Sequence, residues 1–162
     1  MLMNTAPAIL SESELNFFVD ANCRFFEKVA PNQLVLKDPS IEFSEPVFLD
    51  FTGLIEITGR HRGNVYLTMP RAMAVTLTQA MGEHETSEET LRDAVGEVAS
   101  MISSNAREHF GPKLEISVPR SLSGTDSSGL DLAPTRFVLP IGWKDEEAFL
   151  VIALEGEELS PA

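Results

Sequence analysis

The sequence has few positive charges and an excess of acids. Its 162 residues include 12 Lys and Arg against 25 Asp and Glu, which gives a formal net charge of −13. A protein this acidic repels the phosphates of nucleic acids and the headgroups of anionic lipids. We therefore expect neither nucleic acid nor a membrane surface as a partner.

Cysteine and long apolar runs are also scarce. Cys23 is the one cysteine, so an internal disulfide is excluded, and the chain fits a reducing cytosol. A lone thiol of this kind is more often a buried packing residue than a reactive group. No run approaches the roughly 18 apolar residues that a membrane span needs, and the N-terminal segment lacks the basic start of a signal peptide. We expect a cytoplasmic protein.

Familiar catalytic motifs are missing. The chain has no Cys/His pair with a supporting Asn, no G-x-S-x-G, no H-E-x-x-H and no Walker-type phosphate loop. Its three histidines lie far apart, and His61 has no partner at metal-ligand spacing. An independent hydrolase is therefore a poor expectation, and we predict no cofactor or metal of its own.

The order of periodic segments predicts the fold class. A helix comes first, then strands, two helices and strands again, which indicates an α+β fold with a largely antiparallel sheet and helices packed on one face. With 43% hydrophobic and 23% charged residues, the composition is that of an ordinary globular domain. We expect a single domain over residues 1–162, with an ordered core at about 11–155.

The first half of the chain gives one helix and one hairpin. Ser11 and Glu14 form a capping box for a helix that ends near Val29, and Asn22 on its apolar face is either a satisfied core amide or a surface group near a partner. Residues 32–46 read as a loop with one short edge strand at 33–36. Alternation over 47–69 predicts an antiparallel hairpin with its turn at 59–63.

The basic residues of that turn allow two interpretations. Arg60, His61 and Arg62 could bind phosphate, but no glycine-rich loop leads into a helix there, and a solvated hairpin tip is the more ordinary interpretation. Pro70 is placed to begin a middle helix that runs to about Met81. Later in the chain, strands are predicted at 114–118, 136–143 and 148–154, with a mobile loop at 121–134.

The longest helix signal covers Thr86 to Gly111. Thr86 and Glu89 have capping-box spacing, and Gly111 ends the helix. Helical arithmetic places Leu91, Val95, Val98, Ile102 and Ala106 on one apolar face. The opposite side carries five polar residues that we call the polar ridge: Asp93, Glu97, Ser100, Ser104 and Glu108. A solvated helix face is the ordinary interpretation of such a stripe.

The segment DAVGEVASMISSNA resembles the signature helix of the CheX/CheC/FliY family of chemotaxis phosphatases. There an acid or serine is followed by E-x-x-N and then by a small-small-Asn-Ala run. Asp93, Glu97 and the run 103–106 match, whereas Ser100 stands where the family has Asn. The similarity extends from about Leu15 to Leu154, includes LNFFVDANCRFFEKVA and ITGRHRGNVYLTMP, and is closest to the single-motif CheX branch.

The resemblance implies a partner and roles for residues. The partner would be a phosphorylated CheY-type response regulator, which holds its own Mg²⁺ and an active-site Lys. Glu97 would pair with that Lys, Ser100 would occupy the water-orienting position, and Asp93 and Ser104 would add contacts. A homodimer is implied as well, and the apolar last strand and wide first helix favour one.

Two functions of different class remain open. One is a CheX-type phosphatase with a weakened or rearranged site, because a Ser hydroxyl lies closer to the backbone than an Asn amide and offers fewer hydrogen-bonding atoms. The other is a dimeric regulator-binding module without hydrolytic activity. Asn105, on the flank of the helix, is a further candidate for the missing amide.

Overall fold

The computed structural model describes residues 10–43, 45–111, 114–126, 129–130, 132–133 and 135–155. Three helices and eight strands follow one another along this part of the chain. In order they are α1 (Glu12–Val29), β1 (Leu34–Leu36), β2 (Ser40–Glu42), β3 (Phe51–Gly59), β4 (Arg62–Met69), α2 (Arg71–Ala80), α3 (Glu88–Phe110), β5 (Leu114–Ile116), β6 (Arg120–Ser123), β7 (Arg136–Trp143) and β8 (Glu146–Glu155).

The strands form one antiparallel sheet. Its main order is β1-β7-β8-β4-β3-β5, while β2 pairs with β7 and β6 pairs with β3. Most of the buried apolar residues of the three helices belong to one core cluster with inward-facing strand residues such as Ile55, Val65 and Leu150. The predicted α+β arrangement with helices on one face is confirmed.

The opposite face of the sheet is covered only in part. A smaller cluster there contains Phe48, Leu54, Tyr66 and Val151. Because side chains alternate between faces along a strand, Tyr66 points away from the helices while its neighbours Val65 and Leu67 join the main core.

Helix α1 begins as its sequence predicts. The Oγ of Ser11 accepts from the backbone N–H of Glu14 at 3.1 Å, and the Oε1 of Glu14 accepts from the N–H of Ser11 at 2.9 Å. Asn22 is fully buried on the apolar face, yet both polar atoms of its amide lack a hydrogen-bond partner among the described residues. The Asn22 amide therefore lies in the core, as the first interpretation predicted, but without the hydrogen bonds that this interpretation also predicted.

Strand β8 lies at the centre of the sheet, as its continuously apolar sequence predicts. It pairs with β4 on one side and with β7 on the other. The hairpin that joins it to β7 turns through Lys144 and Asp145, whose φ angles of 50° and 65° suit a tight two-residue turn. The strand therefore starts two residues earlier than predicted.

Two strands were missed because their sequences favour loops. β2 lies in the segment 32–46, where only the edge strand β1 was expected. β6 begins at Arg120 and extends into the segment 121–134, which was expected to be a loop throughout. Both are short and polar, and each is held by a ladder to a longer strand, β7 or β3. Tertiary pairing overrides weak local propensity here.

The tip of the hairpin between β3 and β4 is solvated only in part: Arg60 and Arg62 are exposed, as expected, whereas His61 is not. His61 is only 6% exposed, its Nε2 lies 3.3 Å from the Oε2 of Glu14, and its ring packs edge-on against Phe110. The turn thus packs against the start of α1 and the end of α3. His61 is engaged inside the fold, which removes it from the phosphate-binding interpretation.

The start of α3 differs from prediction by one residue. Ser87, not Thr86, is the N-cap, and its Oγ accepts from the N–H of Thr90 at 3.3 Å. Ser is at least as good a cap as Thr, so the helix begins after the second of two adjacent capping residues. With Ser87 as the N-cap, Glu89 is not at the third helical position, and the predicted capping box with Thr86 does not form. The end of the helix at Gly111, with φ of 85°, is confirmed.

A candidate docking site on helix α3

Helix α3 separates apolar and polar residues as its sequence predicts. All five residues of the predicted core face are fully buried. Of the polar ridge, Asp93, Glu97, Ser104 and Glu108 are exposed and Ser100 is half-buried. The structure therefore brings the predicted site residues together along one solvent-facing side of the helix.

The polar ridge has no partners within the fold. None of its five side chains forms a hydrogen bond or ion pair with any residue in the described part of the chain. Three of the five are carboxylates, so the ridge is a strip of negative charge with hydroxyls between the acids. Groups in this state are free to bind a cation or a donor on another molecule.

One flank of the ridge is sealed against the sheet by glycines. A Cβ added to Gly53 of β3 would lie 2.6 Å from the backbone O of Val95 and 2.7 Å from the Cα of Gly96. A Cβ on Gly96 would lie 2.2 Å from the Oγ of Ser121 in β6. Helix and sheet can approach this closely only because side chains are absent there.

This sealed flank explains the burial of Ser100. Ser100 lies four residues after Gly96, so the two residues are neighbours on the helix surface on the side that faces β6. Glu97 directly follows Gly96 in sequence. The glycine contact therefore fixes the backbone at the centre of the candidate site.

The other flank of the ridge is open. A groove of about 670 Å³ lies between α1 and α3. Its α3 wall is Met101 and Asn105, and its α1 wall is Cys23, Arg24, Phe25, Glu27 and Lys28. Met101 is 40% exposed and lies one turn after Glu97, so the groove borders the ridge directly.

Asn105 belongs to the groove and not to the ridge. Five residues of helix separate it from Ser100, which places the two side chains about 140° apart around the axis. Asn105 is exposed and faces the α1 side. Asn105 therefore cannot place its amide where the side chain of Ser100 points.

The thiol of Cys23 lies in the groove wall and is half-buried, so it is less enclosed than the sequence predicts. Burial raises the pKa of this thiol, and the nearby negative charge of Asp20 raises it further. A raised pKa keeps the thiol protonated at neutral pH, which makes it a poor nucleophile.

A second, smaller concavity lies on the sheet face that points away from the helices. It has a volume of about 290 Å³, and Tyr66, Arg136 and Glu42 are among its lining residues. Burial raises the pKa of Tyr66 to about 12, and the charge of Arg136 opposes that shift. The sheet separates this concavity from α3, so it adds nothing to the ridge.

No metal site is formed within the described ranges: no group of three or more His, Cys, Asp and Glu residues is placed to hold an ion. In the same part of the chain, none of the helices combines the length and apolar character of a membrane span.

Comparison with known families identifies the class. Residues 51–141, more than half of the chain, match the family described as "Chemotaxis phosphatase CheX". The chain belongs to this family. No curated protein sequence matches it significantly.

Solved structures show the same fold. Chemotaxis protein CheX from Vibrio vulnificus aligns with a TM-score of 0.73 and 24% identity, over 88% of this chain and 99% of that one. CheX from Desulfovibrio desulfuricans gives 0.72 and 21%, over 88% and 99%. A chain of the CheX-CheY-BeF3-Mg²⁺ complex from Borrelia burgdorferi gives 0.73 and 15%, over 88% and 97%.

Sequence reasoning found the ridge but missed both of its flanks. Gly96 in the middle of a helix was a usable signal, since a glycine there commonly marks a close approach of backbone. Arg24 and Lys28, one turn apart on α1 in a strongly acidic chain, were a second signal. No sequence pattern, however, predicts that Met101 and these two cations line the same groove.

Proposed function

We propose that this protein acts on the phosphorylated form of a CheY-type response regulator and docks it on the polar ridge of α3. The observation that carries the proposal is the state of the ridge: five polar side chains, mostly exposed and without a partner among the described residues, four of which lie in the segment that resembles the family's signature helix. The CheX-CheY complex among the structural relatives supports the choice of partner. The proposal implies a cytoplasmic location.

In this proposal Glu97 is the docking residue. Its exposed carboxylate would pair with the active-site Lys of the regulator, and Asp93 and Ser104, one and two turns away along the ridge, would add polar contacts. A charge-assisted pair of this kind fixes register between two surfaces as well as adding affinity. No metal is assigned to this chain, and Mg²⁺ is expected on the regulator.

Hydrolysis requires little covalent help from such a docking surface. A water oxygen would attack phosphorus in line with the bond to the regulator's aspartate, which leaves as a carboxylate while inorganic phosphate is released. Positioning and electrostatics supply most of the acceleration in phosphoryl transfer. Ser100 is the residue next to Glu97 on the ridge that would orient this water.

Ser100 makes that step slower than an Asn would. Its hydroxyl is held near the backbone on the half-buried side of the ridge, and loss of one well-aimed polar group commonly lowers a rate by about 10²–10³. A regulator-binding module without hydrolysis is the second candidate, and the same Ser100 favours it.

The first test measures loss of phosphate from a phosphorylated CheY-type regulator of the source organism, with and without this protein. Glu97→Lys should lower affinity for that regulator by about 100-fold or more, because it sets two cations against each other. Thermal stability should stay within about 0.5 kcal/mol, since Glu97 is exposed and unpaired.

Glu83→Lys is the matched control, because it makes the same charge change at an exposed residue before α3. Unchanged affinity in Glu97→Lys would contradict docking on the ridge. Binding without any acceleration of phosphate loss would favour the module over the phosphatase.

We also propose a homodimer, although strand β8, one of the two elements first expected to favour it, is not placed to contribute. The apolar strand β8 is central and buried, so it offers no contact area. Exposed large apolar residues cluster instead on the β1–β2 edge and the segment after it: Val35, Leu36, Ile41, Phe43 and Val47. Light scattering that shows a monomer at micromolar concentration would contradict this assembly.

A further inference from the structure

The ridge alone is too small to hold a protein partner. A specific protein interface commonly involves about 20–30 residues on each side, whereas the ridge has only five side chains along one helix. A docked regulator must therefore extend over one flank of α3. The sealed flank is filled by β6, which packs against Gly96, and the open flank is the groove between α1 and α3.

The α1 wall of the groove holds two cations, whereas the ridge holds three carboxylates. Arg24 and Lys28 are both exposed, lie one turn apart on α1, and form no ion pair with any residue that the structure describes. Glu27 also lines this wall, and Asp20, whose negative charge acts on Cys23, lies one turn before Arg24, so the two cations are partly offset. In a chain of net charge −13, a wall with two exposed cations beside a ridge of three carboxylates is still a local change in the balance of charge.

Between the two charged strips lies an apolar residue. Met101 is 40% exposed, lies one turn after Glu97 of the ridge and forms part of the α3 wall of the groove. Methionine is adaptable and is favoured where a surface must fit another protein. A partner that matches this surface carries a cation over Glu97, an apolar side chain over Met101 and acids opposite α1.

Resting on the proposed function, we propose that the docked regulator also fills the α1–α3 groove, with an apolar side chain against Met101 and carboxylates opposite Arg24 and Lys28. The groove then selects the partner by charge, while the ridge engages its phosphorylated site. Charge complementarity at the rim of an interface chiefly sets association rate and specificity.

The test is a double charge reversal, Arg24→Glu with Lys28→Glu, assayed against a CheY-type regulator of the source organism activated with beryllofluoride and Mg²⁺. We expect the dissociation constant to rise about tenfold or more at low salt, because like charges then face each other. The loss should shrink at high salt, since exposed charges are screened. Lys144→Glu, an exposed residue in the β7–β8 turn, should change affinity less than about twofold.

Cys23 gives a second measurement in the protein as it exists. It is the one cysteine in the chain and lines the groove wall. If the regulator fills the groove, bound regulator should slow alkylation of Cys23 severalfold, as followed by mass spectrometry of this chain. Regulator that binds only the ridge would leave the alkylation rate unchanged and would overturn the proposal.

The outcomes separate this inference from the function on which it rests. Loss of binding in Glu97→Lys but not in the double variant would leave docking on the ridge intact and overturn use of the groove. An equal loss in Lys144→Glu would also overturn it, because total charge would then explain the effect. Failure of the unmodified protein to bind any activated regulator would overturn both.

Discussion

The two flanks of helix α3 differ in what fills them. On one side, Gly53 and Gly96 bring helix and sheet so close that a single added carbon would collide with the other element. On the other side, a groove of about 670 Å³ with exposed charges lies between α1 and α3. The polar ridge lies between a fixed flank and an open one.

This asymmetry separates two requirements of a docking helix. A site that engages a reacting group must hold its backbone within a fraction of an ångström, and close packing without voids provides that rigidity. Recognition of a protein surface instead requires free area and adjustable side chains. In this molecule the first requirement is met beside Ser100 and the second beside Met101.

The largest effect on the rate of dephosphorylation is expected from an amide at position 100, beside the fixed flank. Ser100→Asn supplies the amide that the resemblance to the signature helix implies at this position. If α3 docks the regulator as proposed, we expect dephosphorylation to become faster by about one to three orders of magnitude with little change in regulator affinity. Single-turnover dephosphorylation of the regulator measures this directly.

Ser13→Asn is the control, since it makes the same change at an exposed helical residue in the first turn of α1, outside the polar ridge and outside the groove. It should leave the rate unchanged. If the unmodified protein already hydrolyses phosphoaspartate and Ser100→Asn brings no gain, then Ser100 is itself competent. If Ser100→Asn binds tightly and still gives no activity, the ridge serves recognition alone.

The sequence predicted the faces of α3 better than its flanks. Leu91, Val95 and Ile102 repeat at helical spacing, and the apolar period alone determines that their side is buried. The same period places Glu97 and Ser104 in water. These are local properties of one helix, so a single segment of sequence contains them.

The flanks depend on residues that are distant in sequence. The sealed flank requires Gly53 of β3, Gly96 of α3 and Ser121 of β6, and the pairing of Gly53 with Ser121 exists only once β6 joins the sheet. β6 itself was unpredicted because a short Ser-rich segment has little strand propensity. His61 was misjudged for the same reason, since Glu14 and Phe110 reach it only through tertiary packing.

A smaller effect, on stability, is expected from adding one methyl group between helix α3 and the sheet at the fixed flank. In Gly53→Ala the new Cβ would meet backbone atoms of Val95 and Gly96 at 2.6–2.9 Å, and backbone cannot rotate away as a side chain can. We expect α3 to be displaced from β3 and the free energy of unfolding to fall by about 2 kcal/mol. Urea denaturation at equilibrium measures the change.

Gly142→Ala makes the same substitution where there is room. This glycine lies in β7, and an added Cβ would come no closer than 3.4 Å to its neighbours. Alanine there also reduces the freedom of the unfolded chain, so stability should be unchanged or slightly higher. A loss in Gly142→Ala as large as in Gly53→Ala would mean that any strand glycine is costly to replace. Only a loss confined to Gly53 shows that the fixed flank depends on the contact between β3 and α3.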